Sequence, residues 1–64
     1  MEIKILLSKI RAERRISLEK LSEMSGLSKT YINDIENGKR NPTLTSLCQI
    51  AKALDVGLDD MIRF

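Results

Sequence analysis

The sequence predicts an all-α fold, a compact bundle of five short helices joined by short loops, and two observations carry that prediction. Apolar residues recur three and four positions apart in successive stretches, the spacing of one helix face. Start and stop residues bracket those stretches: Ser17, Ser28 and Thr43 precede helices, while Gly26, Asn37-Gly38 and Asp55-Val56-Gly57 follow them.

The first helix is expected from about Ile3 to Arg14, with Ile3, Leu6, Leu7 and Ile10 as its apolar stripe. Ser17 then stands as an N-cap. Lys20 rather than glutamate sits three residues on, so there is no capping box, although Glu19 lies in the first turn where the helix dipole favours an acid. The second helix turns Leu18, Leu21 and Met24 inward and stops at Gly26, which is free to adopt the left-handed conformation of a helix terminus. Ser28 caps the third helix, whose inward residues are Ile32 and Ile35, and Asn37-Gly38 closes it. Arg40-Asn41-Pro42 reads as irregular, because proline disfavours helix at the residue before it. Thr43 caps a fourth helix to about Leu54, with Leu44, Leu47, Cys48, Ala51 and Leu54 at helical spacing. Cys48 is accordingly read as a buried thiol behaving as a small apolar group. A fifth short helix is expected from about Leu58 to Ile62.

Composition narrows the function. Residues 1–64 suit one domain of modest stability, since a chain this short buries only about 60% of its unfolded surface. No stretch approaches the ~20 apolar residues that span a membrane. The N-terminal MEIKILLSKIRAERR lacks the small-residue cleavage site of a signal peptide, so a cytoplasmic location is expected. One cysteine and no histidine leave neither an internal disulfide nor a Cys/His metal cluster. Gly26, Gly38 and Gly57 are isolated at turns, so no glycine loop cradles phosphate; no enzyme activity, cofactor, metal or small-molecule ligand is expected. The net charge of +2 is unevenly spread: residues 1–42 hold nine Lys/Arg against six Asp/Glu (+3), and residues 43–64 hold two against three (−1). The basic part contains the second and third helices, as attraction to phosphate requires.

The third helix carries the chemistry. With Ile32 and Ile35 inward, Lys29, Thr30, Asn33 and Asp34 form the opposite face. Lysine can donate to guanine O6 and N7, asparagine can pair bidentately with adenine, threonine can touch a thymine methyl, and aspartate can accept from cytosine N4. A merely solvated face would carry the same residue types. The joint constraint on the turn separates the two: Leu21 five residues before Gly26, Leu27 just after, and Ile32 and Ile35 six and nine beyond it suit two helices held near a right angle. These four polar residues are the candidate base-reading set, and double-stranded DNA is the expected partner.

The run ISLEKLSEMSGLSKTYINDIENGKRNPTLTSLCQIAKALDVGLDDMI resembles the helix-turn-helix domain of the phage repressor and Cro-like family, also called the xenobiotic-response-element family. The resemblance extends from about Lys9 to Ile62. Its most specific part is Ile35 to Pro42, followed by Leu47, Ala51, Leu54 and the Val56/Leu58 turn. It implies a lambda-repressor-like bundle whose third helix enters the major groove with Lys29, Thr30, Asn33 and Asp34 at base-reading positions. It further implies Ser28, Tyr31, Asn37, Lys39 and Arg40 at phosphate-holding positions, and Arg11 with Glu36 as a structural ion pair. Ser17 and Leu18 join the phosphate set through the N-terminus of the second helix, whose free N–H groups suit an anion. Leu18 stands where many phage relatives have glutamine and can offer only its backbone N–H; Ser22 stands where alanine is usual and is small enough to fit. For Tyr31 two roles stay open, a hydroxyl on phosphate or a ring packed at the helix edge.

Val56, Leu58, Met61, Ile62 and Phe64 exceed what the last two helices can bury, so a two-fold homodimer is expected near this end. Two reading helices would then lie roughly 34 Å apart on a near-palindromic operator. The expected function is a sequence-specific transcriptional regulator, a repressor that occludes a promoter. The competing class is an antitoxin-type or other protein-interaction module in which DNA binding is secondary.

Overall fold

Side-chain hydroxyls start the three central helices of the computed structural model, which describes residues 4–63 of the chain. Its elements are β1 (Lys4–Ile5), α1 (Leu7–Glu13), α2 (Leu18–Ser25), α3 (Lys29–Glu36), α4 (Leu44–Leu54), α5 (Leu58–Met61) and β2 (Ile62–Arg63). Ser17 Oγ accepts from the Lys20 N–H at 3.0 Å, Ser28 Oγ from Tyr31 at 3.1 Å, and Thr43 Oγ1 from Ser46 at 3.1 Å. Each such cap stabilises its helix by about 1 kcal/mol. Gly26 ends α2 at φ +77°, and the Ser22 hydroxyl donates to the Leu27 carbonyl at 2.6 Å across the same turn. A serine in place of the usual alanine therefore fastens the turn that sets α3 against α2.

Helix α2 packs on both α3 and α4, and α5 packs on the far end of α4. Leu7, Leu21, Ile32, Ile50, Leu54 and Met61 are fully buried between them, and Ile10, Ile35, Leu47 and Ala51 complete the core. Burying one such large aliphatic side chain is worth about 1.5–3 kcal/mol, so Ile32 and Ile35 set the rotation of α3 about its own axis. The polar residues between them are thereby turned outward.

The five helices are those expected from the sequence, with three local differences. The first helix begins at Leu7 rather than near Ile3, and Ile3 lies outside the described residues. Leu6 occupies its N-cap with no side-chain cap. Lys4 and Ile5 instead pair antiparallel with Arg63 and Ile62, and the Leu6 N–H donates to the Met61 carbonyl at 2.7 Å. The apolar spacing fitted a longer helix, but pairing with the chain's other end satisfies more backbone groups than an uncapped turn could. That ladder also stops α5 at Met61, one residue short of Ile62.

Met24, read as inward, is 44% exposed, because the small Ser25 one position on is the residue α2 turns to the core. Cys48 is exposed rather than buried. Helix α4 buries Ser46, Leu47, Ile50, Ala51 and Leu54, which leaves Leu44 and Cys48 on a flank, with Leu44 68% exposed.

Candidate nucleic-acid interface

Ile32 and Ile35 anchor α3 from within, and its other side holds Lys29, Thr30 and Asn33 exposed with Asp34 half-buried. Ser17, Leu18 and Glu19 at the start of α2 line one open groove with Lys29, Thr30 and Asn33. The Ser17 side chain caps Lys20, but Leu18 and Glu19 have no helical carbonyl one turn back to receive their N–H groups. The groove therefore combines two free backbone donors and the positive end of a helix dipole with a cationic and two neutral hydrogen-bonding side chains. The spacing of Glu19 marks it only as a dipole partner, but its placement beside Lys29, Thr30 and Asn33 adds a carboxylate acceptor to the groove.

A second groove shares Thr30 with the first and is lined by Gly26, Leu27, Ser28, Tyr31, Asp34 and Arg40. Asp34 thus stands with Arg40 rather than with Lys29 and Asn33. The Tyr31 hydroxyl lies 2.9 Å from Ser46 Oγ, and the Arg40 guanidinium carbon lies 5.4 Å from the Tyr31 ring centre. The half-buried Tyr31 ring packs against the core, and its hydroxyl is bonded to Ser46. Ser46, fifteen residues away and buried, was not singled out in the sequence. Asn37 caps the C-terminus of α3 and, like Lys39, is exposed.

Beneath this surface Arg11 holds the far end of α3. Its Nε donates to Glu36 Oε2 at 2.8 Å, Nη2 to Oε1 at 3.2 Å, and Nη1 to the Ile16 carbonyl at 3.0 Å. Hydrogen bonding to Glu36 raises the Arg11 pKa above its ordinary value, against a smaller lowering by burial, so the guanidinium stays charged. One guanidinium thus joins α1, the loop after it and α3.

At the opposite end, the expected interface set divides. Met61 is fully buried and fills the chain's own core, so it cannot face a second copy. Val56, Leu58 and Ile62 are half-buried and pack against that core, and Phe64 lies outside the described residues. The apolar excess counted in the sequence is smaller than it looked because α4, α5 and α1 share one core.

Residues 7–61 match the helix-turn-helix family. The control protein C.SmaI of Serratia marcescens is 42% identical, with the match covering 97% of this chain and 79% of that protein. The restriction-modification controller protein C.AhdI of Aeromonas hydrophila superposes with a TM-score of 0.82 at 33% identity, over 84% of this chain and 82% of that one. The biofilm master regulator SinR, solved in complex with DNA, superposes with a TM-score of 0.79 at 31% identity, over 83% and 86% of the two chains.

Proposed function

The chain belongs to the helix-turn-helix family, and from that premise we propose that it is a sequence-specific DNA-binding transcriptional regulator, a repressor acting in the cytoplasm. One observation carries the reading: α3 is anchored by Ile32 and Ile35 while Lys29, Thr30 and Asn33 share an open groove with the free N-terminus of α2. A rod held this way can enter the major groove with its polar face toward base edges.

Lys29 and Asn33 donate to purine edges, Thr30 meets a thymine methyl, and Asp34 accepts from a cytosine amino group at the margin of the contact. The hydroxyls of Ser17 and Ser28 use lone pairs in capping and keep a proton for phosphate. The Leu18 N–H, Asn37, Lys39 and Arg40 complete the backbone contacts, with Tyr31 acting beside Arg40. Arg11 and Glu36 are scaffold, and the chemistry is recognition rather than catalysis. The chain binds a near-palindromic operator as a homodimer, with Val56, Leu58 and Ile62 as the described residues available near the two-fold axis. The name of SinR's complex with DNA and of the control protein C.SmaI support this reading.

Selection of bound oligonucleotides from a random duplex pool tests it. The expected result is an enriched half-site repeated at a spacing near one helical turn, with affinity falling steeply as salt rises. A pool that returns unenriched overturns the reading.

A further inference from the structure

Three hydroxyls and one guanidinium form a continuous assembly between α3 and the start of α4. Ser46 Oγ donates to the Thr43 carbonyl at 2.9 Å and so commits its single proton. It accepts from Thr43 Oγ1 at 3.1 Å, and the remaining short contact, 2.9 Å to the Tyr31 hydroxyl, then has Tyr31 as donor. The Tyr31 proton is therefore pointed into the protein, leaving lone pairs outward, and lone pairs repel a phosphate oxygen. The face of the same ring carries Arg40, with 5.4 Å from the guanidinium carbon to the ring centre, inside cation–π range. A guanidinium held over a ring keeps N–H groups on its far side free for an anion.

We propose that Tyr31 serves DNA binding as a positioning residue: pinned by Ser46, its ring seats Arg40 beside the capped N-terminus of α3, so that a backbone phosphate meets a cation already in place. The inference rests on the reading that α3 enters DNA, and it assigns Tyr31 a role through Arg40 rather than a contact of its own. An arginine free in solution loses much rotamer freedom when it docks, and a ring that already holds it removes part of that loss. Ser46 enters the same machinery although it is buried behind the surface.

The test uses the whole chain with its selected duplex, titrated at several salt concentrations. Arg40→Ala should weaken binding about tenfold and make the salt dependence shallower by about one phosphate. Tyr31→Leu should weaken binding about threefold to fivefold, the size of an exposed cation–π contact, and should also flatten the salt dependence. Tyr31→Phe, which keeps the ring, should recover most of that loss. In the Arg40→Ala background, Tyr31→Leu should cost nothing further. A Tyr31→Phe loss as large as that of Tyr31→Leu, persisting without Arg40, overturns the proposal in favour of a direct phosphate contact.

A DNA-independent measurement separates this from the reading beneath it. The aromatic ring should shift the Arg40 Cδ protons upfield in the NMR spectrum of the free chain, and Tyr31→Leu should abolish the shift. No shift in the free chain sinks the stack, even if the duplex binds. A shift present with no duplex preferred sinks the DNA reading instead. Melting curves of each variant identify any that have lost their fold, and for those the Ser46→Ala chain supplies the same readouts, with an expected loss of binding no larger than that of Tyr31→Leu.

Discussion

Glu36 is the carboxylate on which the seating of α3 turns. Its side chain is 7% exposed and takes both donors from an Arg11 side chain that is 21% exposed. Glu36→Gln keeps the shape and removes the charge, leaving the guanidinium a weaker acceptor. The expected loss is about 1–3 kcal/mol. Thermal unfolding should show it as a midpoint about 10 °C lower, and an unchanged midpoint would mean the pair adds nothing. Arg15 makes the opposite case. It sits at φ +56° after α1, a conformation that costs a residue with a Cβ about 1–2 kcal/mol, while the Ile16 N–H reaches back to the Arg11 carbonyl at 3.0 Å. Arg15→Gly should therefore raise stability by about 0.5–1 kcal/mol in urea titrations, since glycine's greater unfolded entropy offsets part of the relief. On the reading face, Lys29→Ala and Asn33→Ala should each weaken the selected site by about 1–3 kcal/mol and relax preference at one base pair. Lys39→Ala should weaken all duplexes alike. Unaltered preference in the first two variants would displace α3 from the major groove.

At the scale of elements, the turn between α2 and α3 decides whether the groove exists. Gly26 has a φ of +77°, and a Cβ built on it would meet nothing within 4 Å. Gly26→Ala should thus cost only the left-handed conformation, about 1 kcal/mol in denaturant titrations, and leave sequence preference unchanged. A much larger loss would point to a clash absent from this geometry. The same contrast explains what could be read in advance. Ser17, Ser28 and Thr43 announced their helices because a cap acts within three residues, and Ile32 and Ile35 announced the outward face because helical periodicity is local. The start of α1 was hidden, since its true competitor is a strand pairing with residues 62 and 63. Met24 and Cys48 lie at the margins of their apolar stripes, and only the neighbouring helices turn Ser25 rather than Met24, and Ser46 and Ile50 rather than Leu44 and Cys48, to the core. The Tyr31–Ser46 bond spans fifteen residues and left no pattern in the sequence.

For the whole molecule, the property the fold constrains is association. With Met61 turned into its own core, the proposed dimer contact has Val56, Leu58 and Ile62 as its described apolar residues, a smaller patch than the apolar count suggested. Sedimentation at micromolar concentration should still report twice the chain mass, with one dimer per operator; a monomer binding one-to-one would remove the two-fold arrangement. The β1–β2 ladder bears on a different property. Because Lys4 lies opposite Arg63, the first and last described residues are cross-strand neighbours, about 5 Å apart in such a ladder. A head-to-tail peptide ligation through a few added residues is therefore sterically within reach. The resulting ring could be cut open in the loop before α4, yielding a permutant whose new ends emerge after α3.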